Sequence, residues 1–306
     1  MKNTAIRMRT GKAALLAGLF FSALSATAAT VSVDCDAGNT ITAALGNVKP
    51  GDTVLASGTC KEQVSFAPEM VRITLDGQKK TTIQHPGKPA PSPHTVFIRG
   101  KDITIKGITV IGGLDGIHLA GPASAELDGN VVVKAARAGI HIDKGSVARI
   151  LNNTVQESGA YGIDITGVSL AYIGVRIPRL PALSPNTIRN NGGPGINIER
   201  SSSAWIVGNT ISNNKGSGIV VHRNAQADVI ANVINANGGD AIAASYSGGV
   251  NLKSEPRSDG PNQTTQDNGG VAIRCLAGGY VDGPLGTLGG KQGAKAFESG
   301  CVDRLE

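Results

Sequence analysis

Gly116-Ile117-His118-Leu119 returns as Gly139-Ile140-His141-Ile142, then as Gly162-Ile163-Asp164-Ile165, Gly195-Ile196-Asn197-Ile198 and Gly218-Ile219-Val220-Val221. The glycines lie 23, 23, 33 and 23 residues apart, and a weaker copy follows at Ala241-Ile242. Nine residues ahead of each copy from Gly139 onward runs a second track: Asn130, Asn153, Asn186, Asn209 and Asn232. Both tracks share the single interruption, so the period belongs to a structural repeat. Each copy alternates apolar and polar residues with period two and is bounded by Gly, Asn or Pro, the pattern of short strands joined by tight turns.

Coils of about 23 residues, stacked about 4.8 Å apart, pair each strand with its equivalents above and below and bring the aliphatic positions into continuous interior rows. The composition suits this arrangement: 42 glycines for frequent turns, and only 3% aromatic residues in an interior left to Ile and Val. The Asn track fits a turn that tolerates left-handed backbone angles, with stacked amides bonding to the main chain along the axis. A leucine-rich repeat would require a Leu consensus and helical segments. A left-handed hexapeptide helix would require a multiple of six, and 23 is not one.

The run Asn-Thr-Ile, a short polar stretch, then Gly-Ile-x-Ile, seen at Asn209 to Val221 and at Asn186 to Ile198, resembles the repeats of the pectate-lyase-like superfamily. The resemblance covers Val96 to Ser245 most clearly. It implies an all-β, single-stranded right-handed parallel β-helix and glycans as the substrate class, while saying little about function, because the superfamily holds lyases, hydrolases, epimerases and non-catalytic proteins. No pectate-lyase signature is present. The Asp-Pro-His-Asp motif of alginate epimerases is also missing, and neither His85-Pro86 nor Pro93-His94 supplies it.

An open stack needs caps. A short helix over Thr40 to Val48, with Asn39 as its N-cap, is expected to cover the first coil; the N-terminal cap spans 31–60, the repeat core about 61–250, and a loop and C-terminal cap 251–306. Cys35 and Cys60 are about one coil apart, as are Cys275 and Cys301, which places each pair on neighbouring coils within bridging distance. One disulfide per cap is therefore expected. Ahead of the β-helix domain at 29–306, residues 1–28 read as a signal peptide: Lys2, Arg7, Arg9 and Lys12, an apolar run from Ala13 to Leu24, then Ala26-Thr27-Ala28. Export to periplasm or medium follows, with no membrane span after cleavage. Removing four basic residues takes the net charge from +6 to +6 − 4 = +2, which sets nucleic acid aside as a partner. A monomer is expected.

In Gly-Ile-x-Ile the aliphatic residues point inward, so the residue between them and the one after point out. This places His118, His141, Asp164, Asn197 and Val220 in one outward row. Ala120, Asp143, Thr166, Glu199, His222 and Ser245 form the next. Arg200 and Arg223 follow the strip directly and Tyr161 precedes the glycine of its coil. The ten extra residues between Ile165 and Asn186, with Tyr172, Arg176 and Arg179, are expected to overhang it. His118, His141, Asp143, Asp164, Glu199 and His222 are the candidate catalytic groups; Tyr161, Arg200 and Arg223 are candidate contacts to an acidic polysaccharide. Proton abstraction beside a sugar carboxylate would use His or Asp as base and Arg to hold the charge, whereas a hydrolase would use Asp164 with Glu199. His118 and His141 could hold a metal ion, but the third ligands are uncertain, and neither metal nor cofactor is expected. A non-catalytic binding or structural module remains the alternative.

Overall fold

The computed structural model describes residues 28–87, 92–176, 183–253 and 260–306. The expected signal peptide therefore lies outside the described residues, apart from Ala28. The chain winds as a right-handed parallel β-solenoid, and every strand pairing is parallel. Ten strands form one sheet, which carries the Gly-Ile-x-Ile motifs, and seventeen form the rest of the wall. Ile117, Ile140, Ile163, Ile196 and Ile219 stand in register as predicted, and the row continues to Ile242 and Ile273. All seven are fully buried. The motif glycines are required by space rather than by backbone angle. A Cβ on Gly195 would lie 2.6 Å from Ile211 Cγ2 and 2.8 Å from the Gly218 carbonyl of the next coil.

The asparagine track is a buried amide ladder. The Oδ1 of Asn209 accepts from the Asn186 backbone N–H at 3.0 Å and its side-chain amide at 2.8 Å, while Asn209 Nδ2 donates to the carbonyls of Ile173 and Val207. The left-handed residue is the one before the ladder: Gly129, Asn152, Gly208 and Ala231 have positive φ, and the ladder asparagines do not. A second ladder, unread in the sequence, runs through Asn191, Asn214, Asn237 and Asn268. The first extends to Asn262, so the amide stacking continues beyond Ser245, where the motif fades.

The caps are as expected in outline. Cys35 bridges Cys60 and Cys275 bridges Cys301, with Cα separations of 5.1 and 6.1 Å. The helix is shorter than predicted, Ile41–Leu45, and its N-cap is Thr40, whose hydroxyl accepts from Ala43 N. Glu62 of the next coil takes the first N–H groups, from Ile41 and Thr42, and fixes the start one residue later than Asn39 would. Among the described residues no helix is long and apolar enough to cross a membrane.

Most of the ten-residue insertion, 177–182, lies outside the described residues; its described flanks stand on the larger sheet. Ser184 N donates to the Gly174 carbonyl at 2.9 Å, and the following coil resumes register. Tyr172 lies on the larger sheet beside Trp205, and Arg176 pairs there with Glu126. Arg179 lies outside the described residues.

Candidate functional site

Parallel register places Phe97, His118, His141, Asp164, Asn197 and Val220 on consecutive rungs of the ten-stranded sheet. One rung is about 4.8 Å, so ring and carboxylate atoms on adjacent rungs come within hydrogen-bonding range. The outward strip predicted from the repeat is there, but it is not an open face. Its side chains pack against one another and separate into two centres.

The first centre joins His118, His141, Asp143 and Asp164 to three residues that the repeat did not single out: His94, Asp115 and Arg137. His94 Nδ1 lies 3.0 Å from Asp115 Oδ2, and His94 Nε2 lies 3.0 Å from His118 Nδ1. His118 Nε2 faces Asp143 Oδ1 at 3.4 Å, and His141 Nε2 faces Asp143 Oδ2 at 3.8 Å. His141 Nδ1 is shared between Asp164 Oδ2 at 3.2 Å and the Arg137 guanidinium at 3.0 Å. Burial favours the neutral form of Asp115, yet the adjacent His94 and Arg137 outweigh it and hold the carboxyl well below its usual range. Burial, then the neighbouring His141 and His94 rings, pull His118 down to about 4. The His118 and His141 side chains are only 10% and 6% exposed.

The second centre, formed by Glu199, His222, Arg200 and Arg223, is more open. Glu199 Oε2 lies 3.4 Å from His222 Nε2 and accepts from Arg223 Nη1 at 2.6 Å, while Arg200 Nε is 3.7 Å from the other carboxylate oxygen. Arg200 and Arg223 occupy left-handed turn positions that end their strands. His222 is 19% exposed and Arg223 53%. Burial lowers the His222 pKa, opposed by Glu199 and assisted by Arg223. Tyr161 feels both centres: burial first, then the charges of Asp164 and Glu199, raise its pKa.

Asp164 and Glu199 are engaged by different partners. Asp164 accepts from Asn197 Nδ2 at 2.8 Å and meets His141, whereas Glu199 is held by the arginines and by Thr166. Asp115 had a signal in the sequence, since it occupies the position before the motif glycine that drew attention to Tyr161. Arg137 and His94 sit in turns where the repeat carries no pattern. A groove of about 770 Å³ lies on the other sheet beside Trp205 and Tyr280. One of its cations, Lys253, is already paired with Asp282 and Glu306, and the groove gathers no imidazole.

No curated protein matches the chain in sequence. Among solved structures, an alginate lyase from Paenibacillus sp. str. FPU-7 superposes with a TM-score of 0.62 at 15% identity, over 90% of this chain and 99% of that one. The pectate lyase Pel9A gives 0.56 at 12% identity, over 89% and 80%. At such identities the likeness is one of fold. The family described as "Right handed beta helix region" matches residues 94–255. With more than half of the chain inside that match and the same coils continuing on both sides of it, the protein belongs to the right-handed β-helix family.

Proposed function

We propose that the protein is exported, binds an extended acidic polysaccharide along the imidazole–carboxylate strip, and transfers a proton at the ring carbon beside a sugar carboxylate, as a lyase or an epimerase does. The observation that carries this reading is the second centre: a neutral imidazole, His222, set against Glu199 with two half-open guanidinium groups beside it. A base must approach within about 3 Å of the proton it takes. His222 is open enough for that, whereas His118 and His141 are too covered to reach a ring carbon. Arg200 and Arg223 can turn a face to the sugar carboxylate and stabilise charge developing on it. Tyr161, kept protonated by its surroundings, is suited to return a proton. The two solved structures named above are an alginate lyase and a pectate lyase, which supports a uronate polymer as the substrate class. Two disulfides in a chain of this size fit an oxidising compartment.

The test is a screen of the purified mature protein against alginate, pectate and other uronate polymers, following ultraviolet absorbance of unsaturated product and inversion at C5. Turnover is expected, with His222→Ala reducing it by about 10²- to 10⁴-fold, the usual loss of a general base. Binding without turnover on any polymer would remove the catalytic reading and leave a polysaccharide-binding module.

A further inference from the structure

The first centre has the architecture of a cation site. We propose that His118, His141 and Asp143 bind a divalent first-row transition-metal ion through His118 Nε2, His141 Nε2 and a carboxylate oxygen. One ligand atom from each of the three residues can be chosen so that all lie within 4.8 Å of one another. Four-coordinate zinc with bonds near 2.0–2.1 Å places neighbouring ligand atoms about 3.3 Å apart. His118 Nε2 stands 3.4 Å from Asp143 Oδ1 and His141 Nε2 3.8 Å from Asp143 Oδ2, so each imidazole approaches that spacing to one of the two carboxylate oxygens.

Two features point to a ligand rather than to a packed polar cluster. First, His118 Nε2 and Asp143 Oδ1 are buried and have no hydrogen-bond partner among the described residues, although they face each other. Leaving such groups unmatched carries a desolvation penalty, larger for a charged one. Second, proton placement along the chain of rings leaves the metal-facing nitrogen of His118 bare. With His94 Nδ1–H facing the Asp115 carboxylate 3.0 Å away, His94 Nε2 is free to accept from His118 Nδ1–H, and the lone pair of His118 falls on Nε2. His141 Nδ1 lies between the Asp164 carboxylate and the Arg137 guanidinium, which can only donate, so metal binding through Nε2 requires the ring to give Nδ1–H to Asp164 in place of accepting from Arg137. A carboxylate behind each imidazole is the usual outer support of a metal-bound histidine.

The alternative triplet, His94, Asp115 and His118, is unsuitable. The Arg137 guanidinium already engages both oxygens of Asp115, so a cation there would confront a fixed positive charge. Two imidazole nitrogens and one carboxylate favour zinc-like ions over calcium or magnesium, which take oxygen ligands. Asp143 is 18% exposed, so a remaining coordination position opens toward the strip. Where the polysaccharide reading holds, that position receives a sugar carboxylate. Cation binding itself does not depend on that reading.

The test uses the whole mature chain with Zn²⁺ or Co²⁺ alone. After dialysis, one zinc per chain is expected, with visible Co²⁺ absorption of four- or five-coordinate character and a rise in Tm that a chelator reverses. His118→Ala and Asp143→Asn should remove the bound metal, and Asp115→Asn should weaken affinity 10- to 100-fold, the range for an outer support. His222→Ala should bind zinc as the parent does, so loss of turnover and loss of metal are separable. Absence of bound zinc and of a Tm shift in the parent chain, or stoichiometric binding that survives both ligand substitutions, would overturn the proposal. The Co²⁺ spectrum and Tm shift of the parent decide the matter if a substituted chain fails to fold.

Discussion

At the scale of the residue, His222 is the group whose ionisation can be read independently of any substrate. Burial lowers its pKa below the ordinary imidazole value of 6.5, Glu199 and Asp164 oppose that shift, and Arg223 and Arg200 add to it. The neutral ring is therefore the dominant form at neutral pH, and any activity that uses it as a base falls off on the acid side below 6.5. Arg223→Ala removes a lowering influence, so the acid limb should move to higher pH. Glu199→Gln removes a raising one and should move it lower. An NMR titration of the His222 ring reports the same two opposite displacements; equal or absent displacements would show that the charges around the ring are not those described. The sequence placed His222 and Glu199 on one strip correctly because period two and period 23 together locate every side chain on the wall. It could not show that one centre is open and the other covered, because that depends on His94 and Arg137, which arrive from turns outside the repeat.

At the scale of the element, the strands are held by two periodic features with different chemistry. The glycine row is a steric requirement: a methyl group on Gly162 would lie 2.5 Å from the Gly195 carbonyl and 2.5 Å from Ile188 Cγ2. Gly162→Ala should cost about 1–3 kcal/mol, the usual effect of overpacking a filled interior. The amide ladder is a requirement of polar satisfaction. Asn209→Ala would strip partners from the carbonyls of Ile173 and Val207 and from the N–H of Asn186, with an expected loss of about 3 kcal/mol or more. Chemical denaturation of both variants checks these values, and Asn209→Asp, which keeps only the acceptor, should fall between Ala and the parent. The first ladder was legible because Asn recurs at the motif period. The second was not, since Ser158 stands where Asn191 stands one coil later, and the track begins late.

At the scale of the molecule, each coil touches only its neighbours, so stability is distributed along the axis and the ends are its weak points. The Cys35–Cys60 and Cys275–Cys301 bridges each tie an end coil to the next and should contribute about 3 kcal/mol apiece. Cys35→Ala with Cys60→Ala should speed hydrogen exchange over the first coils and leave the Ile163 amide as protected as before; uniform loss of protection would indicate a single cooperative unit instead. The all-β architecture, the interior row and both bridges followed from spacing alone. The placement of the insertion did not, because spacing gives its length and not the corner at which it leaves the wall. That corner has a consequence for how such a chain can change. The hydrogen bond from Asn153 N to Asn186 Oδ1 spans 33 residues and matches, at 2.8 Å, those that span 23. Gly174 and Ser184 clasp the stem of the excursion. The wall thus measures distance through space and is indifferent to contour length, which makes this corner a splice point where whole segments can be exchanged while the polar strip on the opposite sheet keeps its geometry.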